Sequence, residues 1–318
     1  MKAVTDGPAR AASSIDLPLV GPQGEPIDLL RTLTSHGVAT LPPLAVDEHT
    51  CTLEVTVPIA GERPRTVRVT RAGATTAHIT VLGITASDGT RDAIRRAVGH
   101  ILRLDEDLSS FYALAAADPD LAWAAAGAGR MIRSSTVFED VVKTICTTNC
   151  AWSATERMVT ALVAHLGEPA AGAPANGARG RTFPTPAAMA AASDAFYRNT
   201  VRAGYRGAYL TGLAQSVAAK TVDLEALGQA TQDELPDNEL AARLLALPGV
   251  GPYAAAHIMM MLGRYSRLIL DSWTRPTYAR IANRKRATDG AMKFRFRRFG
   301  RYAGLAFWLY LTREWVPE

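Results

Sequence analysis

Two hydrophobic periods divide this chain. Between residues 51 and 83 apolar and polar residues alternate, in Cys51-Thr-Leu-Glu-Val-Thr-Val, Thr66-Val-Arg-Val-Thr and His78-Ile-Thr-Val-Leu, with turns containing Gly or Pro between them. A period of two puts the apolar residues on one face, so these segments predict an antiparallel sheet with one wet side. From Arg91 the period lengthens: Ile94, Val98, Ile101 and Leu102 fall on one helical face, and almost everything beyond reads as helices joined by short connections. The expected fold is mainly α with an N-terminal α+β domain. Residues 1–104 form the antiparallel sheet domain and residues 105–318 the helical region, a division that 318 residues can support with real cores.

Composition narrows the class. With 48% apolar residues the chain is not disordered, and no apolar run reaches the roughly 18 to 20 residues of a membrane span. The start, Met1-Lys-Ala-Val-Thr-Asp-Gly, is loose and has no signal-peptide core. A soluble, monomeric, cytoplasmic protein is expected, nucleoid-associated in a bacterium. Three cysteines are too few for a disulfide framework, and no His or further Cys completes a metal site with Cys146 and Cys150. No histidine pair has metal-ligand spacing, which argues against a zinc enzyme.

Charge is more informative in its distribution than in its sum. Twelve Lys or Arg and two acids, Asp271 and Asp289, lie between Arg264 and Arg301, so this segment carries +10 of a total of +5 and leaves the rest at −5. Such concentration is what a phosphate-binding face requires, and the interleaved Phe294, Phe296 and Phe299 imply that part of it also packs. Elsewhere, Thr136-Val-Phe-Glu139 has the form of a capping box, so Glu139 reads as a cap rather than as a catalytic acid. The small-residue run from Gly167 to Gly180 reads as an exposed insertion.

The hairpin spans about residues 238–262. Asp237 is an N-cap candidate for a helix carrying Leu240, Leu244 and Leu245, and Leu247-Pro-Gly-Val-Gly-Pro-Tyr253 leads into a second helix with Ala255, Ile258, Met259 and Leu262. A tight Gly-x-Gly turn leaves backbone N–H groups at the start of the second helix without helical partners, where a DNA phosphate satisfies them. Gly249 and Gly251 are expected to supply positive φ and close approach, and Pro252 suits the first turn because it has no N–H.

Asp271 stands twenty residues after Gly251, within Leu268-Ile-Leu-Asp-Ser-Trp273. With this spacing the chain resembles the helix-hairpin-helix DNA glycosylase superfamily, its AlkA-like 3-methyladenine and 8-oxoguanine branch, over about residues 105 to 315. Phe138-Glu139 with Ile145-Cys-Thr-Thr-Asn149, Phe183-Pro-Thr-Pro, Gly204-Tyr-Arg-Gly-Ala-Tyr209 and Gly300-Arg-Tyr-Ala-Gly-Leu-Ala306 flank the hairpin in the superfamily's order. The resemblance implies damaged double-stranded DNA as partner, with Leu247, Gly249, Val250 and Gly251 at its backbone and Asn149, Tyr205 and Arg206 at the gap left by a flipped base. It implies no required cofactor or catalytic metal, with a structural monovalent cation at the hairpin as an option.

Asp271 matches the superfamily's catalytic aspartate, which stabilises oxocarbenium character on the sugar and activates water. Its plainer reading is a helix N-cap before Trp273, and the two roles can coexist. Lyase-active relatives place a lysine at the position of Tyr253, so hydrolysis without strand cleavage is expected. Phe307 stands where the 8-oxoguanine branch reads guanine with Gln, and Ala154 stands where it has a second cytosine-binding Arg. Tyr253, His257, Trp273, Phe307 and Tyr310 are expected to form an aromatic base pocket, although each is also a candidate for core packing. Such a pocket suits cationic alkylated purines. The alternatives are an 8-oxoguanine glycosylase acting opposite cytosine, a lyase using another lysine, and a non-catalytic DNA-binding module.

Overall fold

A computed structural model describes residues 14–83 and 85–316; the expectations for the first residues lie outside them. β3 (Thr52–Ile59), β4 (Glu62–Arg71) and β5 (Thr76–Val81) occupy the alternating segments. The β3–β4 connection turns at Gly61, whose φ of +74° needs a glycine. Two further strands, β1 (Ser14–Pro18) and β2 (Leu44–Asp47), complete an antiparallel sheet in the order β1-β5-β4-β3-β2. Helix α1 (Leu29–Leu33) lies between them in sequence. The inward residues Leu53, Val55, Val67, Val69 and Ile79 share one core with Ile94, Val98 and Ile101 of α2 (Asp88–Ile101). Ser87 caps α2, which starts three residues before the apolar period becomes visible at Arg91.

The remaining helices are α3 (Ser109–Ala116), α4 (Val137–Thr147), α5 (Trp152–Leu166), α6 (Pro186–Ala191), α7 (Arg206–Ala218), α8 (Leu224–Gln229), α9 (Asp237–Leu245), α10 (Pro252–Met261), α11 (Thr274–Ile281), α12 (Asp289–Phe296) and α13 (Ala303–Thr312). Thr136 caps α4 by accepting the Glu139 N–H, as the Thr-x-x-Glu spacing predicts. Asp237 is not a cap: it is the first residue of α9, and its carboxylate binds Arg264 at 2.6 Å. Two helical cores result, one around α4, α5, α7, α9 and α10, the other around α3, α12 and α13. Among the described residues no helix is long and apolar enough to cross a membrane.

Buried polar contacts tie the sheet to the helices. Arg130 is fully buried, pairs with Glu25 at 2.8 Å and donates to the carbonyls of Arg103 and Glu106. Lys143 on α4 is equally buried; it pairs with Glu139 at 2.6 Å and donates to Leu41 O. Thus Glu139 does serve structure, as half of a buried ion pair. At the same boundary His36 meets His257 of α10 edge to face, with ring centroids 5.6 Å apart. The Nε2 of His36 hydrogen-bonds to Ile132 O at 2.7 Å. Burial pushes the pKa of His36 down to about 4, aided by the nearby Lys143 and Arg103, and that of His257 down to about 3.

This pair sets a pH dependence. An unfolded imidazole takes its proton near pH 6.5, whereas folded His36 refuses it until about pH 4, so its contribution is intact above pH 6.5 and is lost as pH falls toward 4. Asp140, whose pKa burial raises to about 7, works in the opposite direction, but it cancels in a comparison of two proteins that both contain it. His36→Gln, which does not titrate, should therefore gain on the wild type by up to about tenfold in folding equilibrium constant per pH unit between pH 6 and 4. Urea titrations at several pH values measure this gap, and a constant gap would refute the buried neutral imidazole.

Candidate active site

The hairpin forms as its residue types dictate. Leu247 and Val250 are buried in the core and hold the turn from within, so only their backbone faces outward. Gly249 has φ +79°, and a Cβ there would lie 2.8 Å from the Tyr209 ring. Gly251 departs from expectation: its φ of −94° and ψ of −176° are open to any residue. A Cβ on Gly251 meets nothing within 4 Å, so what the glycine leaves is open space at the helix mouth. Pro252 takes the first position of α10, and no side chain caps its N-terminus, whereas Ser87, Thr136, Thr185, Asp223 and Thr288 cap other helices. The free N–H groups and the positive end of the helix dipole together suit an anion.

Beside this mouth lies a cleft of about 680 Å³ whose lining includes Asn149, Tyr205, Gly249, Gly251, Tyr253 and Asp271. The folded chain thus brings together residues that are up to 122 positions apart in sequence. Asp271 precedes α11, and its Oδ1 accepts the Trp273 and Thr274 N–H groups at 2.9 and 2.6 Å, while Thr274 Oγ1 accepts the Asp271 N–H at 2.8 Å. The cap and the cleft carboxylate are therefore the same residue. One oxygen is fixed by the backbone, and the other has no protein hydrogen bond among the described residues. Tyr253 stands opposite, its hydroxyl 3.4 Å from Thr147 Oγ1. Burial, with Asp271 adding to it, raises the pKa of this phenol, so it stays protonated.

Across the cleft, Asn149 adopts φ +48° and its Nδ2 donates to the Tyr205 hydroxyl at 3.5 Å. Tyr205 is 55% exposed and packs edge-on against Tyr209. Arg206 does not join them: it is buried, donates to Thr148 O and lies 4.6 Å from the Tyr205 ring centroid. It braces the rim from behind.

The aromatic set differs from expectation. Phe307 is fully buried, with its ring 5.4 Å from Phe296 and 6.2 Å from Tyr278, and Tyr310 packs on the same two rings beneath Arg295. Neither lines the cleft. Their helix, Ala303-Gly-Leu-Ala-Phe-Trp-Leu-Tyr-Leu-Thr312, is buried on every side, and the requirement to fill the α12–α13 core takes both rings. His257 lies behind Tyr253, stacked at 6.0 Å and 11°. Trp273 is exposed and clusters with Trp308 and Trp315 at 5.6 to 5.8 Å. Trp308, Trp315, Tyr209 and Thr147 went unassigned in the sequence; Tyr209 and Thr147 had a signal, within the Gly204–Tyr209 and Ile145–Asn149 motifs.

The basic segment is also divided. Arg264, Arg275, Arg280, Arg295 and Arg298 are ion-paired to acids, Arg267 donates to Asn238 and Arg301 to the Tyr302 hydroxyl. Arg284, Lys285, Arg286, Lys293 and Arg297 are exposed and carry no ion pair among the described residues. Less than half of the segment is therefore available as a phosphate face. Among the described residues no cluster of His, Cys, Asp or Glu could hold a metal ion.

No protein-family model and no curated protein sequence matches the chain. Solved structures do. A 3-methyladenine DNA glycosylase from Archaeoglobus fulgidus aligns with a TM-score of 0.71 at 18% identity, over 96% of this chain and 100% of its own. An 8-oxoguanine glycosylase/lyase from Clostridium acetobutylicum, in its apo form, aligns with a TM-score of 0.69 at 17% identity, over 94% of this chain and 95% of its own. The same enzyme in complex with double-stranded DNA containing cytosine opposite 8-oxoguanine aligns with a TM-score of 0.68 at 18% identity, over 91% of this chain and 92% of its own. With its five-stranded sheet set before a helical body and its hairpin beside an aspartate, the chain has the fold of the helix-hairpin-helix DNA glycosylases.

Proposed function

We propose that the protein is a monofunctional DNA glycosylase that hydrolyses the N-glycosidic bond of a damaged purine flipped from duplex DNA. The observation that carries this reading is the placement of Asp271. Asp271, with one carboxylate oxygen unbonded among the described residues, lines the same cleft as the uncapped mouth of α10, so a phosphate held at the hairpin sets a deoxyribose beside the carboxylate. As the C1′–N bond breaks, its electron pair leaves with the base and positive charge grows on the sugar, where Asp271 stabilises it. Water then bonds to C1′ and gives up a proton through the same carboxylate. Among the described residues no lysine lines the cleft, and Tyr253, held as a neutral phenol, offers no amine for an imine.

An alkylated purine of the 3-methyladenine or 7-methylguanine type is the proposed substrate. A cationic ring is a good leaving group and needs no general acid, and Tyr253 supplies an aromatic face for it. The second reading, 8-oxoguanine opposite cytosine, is favoured by Asn149 and Tyr205 on the rim. Arg206 argues against it, since its guanidinium is already engaged by Thr148 O and the Tyr205 ring.

On duplexes carrying single lesions, free alkylated purine should be released and leave intact abasic strands that break only in alkali. Asp271→Asn should lower the single-turnover rate by at least about a hundredfold while duplex affinity persists. Activity within a few-fold of wild type would overturn the mechanism, a borohydride-trapped imine would overturn monofunctionality, and rapid excision of 8-oxoguanine alone would overturn the substrate assignment.

The two hairpin glycines should separate anchoring from folding. The Cβ of Gly251→Ala meets nothing within 4 Å, so thermal stability should hold while affinity for damaged and undamaged duplex falls alike. Gly249→Ala adds a Cβ at positive φ against Tyr209, so it should lower both stability and affinity. A loss of affinity confined to one lesion would contradict a sequence-independent anchor.

A further inference from the structure

A second groove of about 540 Å³ lies directly beside the cleft. Pro252, Tyr253 and Leu270 line both, so the two are separated by a single wall. Unlike the cleft, the groove is ringed by cations: Arg267, Arg275, Lys293 and Arg297 line it, with Asp289 as the one carboxylate among the described residues. Asp289 is already spent on Arg275, through contacts of 2.8 and 3.0 Å. Lys293 and Arg297 are exposed, carry no ion pair among the described residues and both line the groove. Arg297 is held over the Phe294 ring at 3.9 Å, and that ring is itself 64% exposed. The floor is apolar, formed by Leu268, Ala256 and Ala303.

Resting on the reading of the cleft as a nucleotide site, we propose that this groove seats the phosphodiester backbone of duplex DNA on one side of the flipped nucleotide, with Lys293 and Arg297 as its phosphate ligands. Three features favour this occupant. The groove adjoins the cleft that Asp271 lines, its net charge is opposite to that of a phosphate chain, and its apolar lining accepts the sugar edge between phosphates while the Phe294 ring holds Arg297 at the rim. The footprint is therefore asymmetric, because the four cations line the groove and not the cleft, whereas Gly251 and Asp271 line the cleft and not the groove. The loop cations Arg284, Lys285 and Arg286 directly precede α12, which carries Lys293, and extend the same basic stretch in sequence.

The test measures binding, not turnover. Affinity for a labelled duplex containing a tetrahydrofuran abasic analogue is read by anisotropy against salt, for wild type, the double variant Lys293→Gln/Arg297→Gln, Phe294→Ala, and Arg96→Gln as an exposed control on α2. The double variant should bind at least about fivefold more weakly and lose close to 2 from the log–log salt slope, about 0.9 per phosphate contact. Phe294→Ala should weaken binding with little change in slope. Shortening the duplex on one flank should weaken wild type but not the double variant, and shortening the other flank should affect both. A double variant with the slope and flank dependence of wild type overturns the groove. So does binding of polyglutamate that the double variant loses while duplex binding stays intact, which would assign the groove to an acidic protein. A wild type that binds the duplex with this footprint yet releases no base overturns the proposed function and leaves the groove standing.

Discussion

Helix α10 is treated unequally at its two ends, and the geometry of the cleft depends on that difference. At its C-terminus the Arg103 guanidinium, buried beside Glu106 and Tyr265, donates to the carbonyls of Met261 and Met131. A buried charge in such a position is costly to displace, because moving it leaves both the guanidinium and the helix carbonyl without partners. Along its length the helix is buried from Ala254 to Met261. At its N-terminus no side chain among the described residues caps the first turn. An anchored helix with an open mouth presents fixed N–H groups to solvent, and the cost of orienting them is met in folding rather than at binding.

The carboxylate is fixed by a related device. Asp271 and Thr274 exchange hydrogen bonds, with Thr274 fully buried, so one carboxylate oxygen has its direction set by the backbone of α11. The direction of the other oxygen follows, because a carboxylate is planar and rigid. A side chain on a free loop would sample several rotamers and lose this alignment. Cap and candidate catalyst are thus not competing explanations of Asp271, since the first is what gives the second its geometry.

How much of this could be read in the residues depended on whether a local rule applied. The hairpin, the first-turn proline, the Thr136 cap and the alternating strands follow from turn chemistry and period, and each involves contacts only a few residues apart. The pairing of Gly251 with Asp271, twenty residues apart, follows no local rule and was legible only through the resemblance to the glycosylase superfamily. The aromatic pocket failed because α13 is apolar all round and has no period that says which face meets which neighbour. Phe307 and Trp308 are adjacent, yet one fills the α12 core while the other donates to Ser35 O and packs on Trp273. His36 opposite His257, and Arg206 turned back onto Thr148, are pairings of distant segments that no local pattern encodes. Strands β1 and β2 are short edge strands, too brief for alternation to stand out from chance.

Charge in the finished molecule is sorted by place more than by amount. Among the described residues Asp271 is the single carboxylate lining the cleft and no Lys or Arg lines it, and Tyr253 holds its proton. The cations of the basic segment instead lie in the adjoining groove, in the loop before α12, or in ion pairs such as Arg298 with Asp118. A positive charge growing on a sugar in the cleft therefore faces one anion and no competing side-chain cation, while phosphates outside face cations with little intervening acid. Mixing the two sets would weaken both, since a lysine beside Asp271 would oppose the developing charge and an acid in the groove would repel the backbone. The wall of Tyr253 and Leu270 keeps them apart. An aromatic ring at that position does more than withhold an amine, because it also separates the groove proposed to hold the strand from the cleft proposed to act on it.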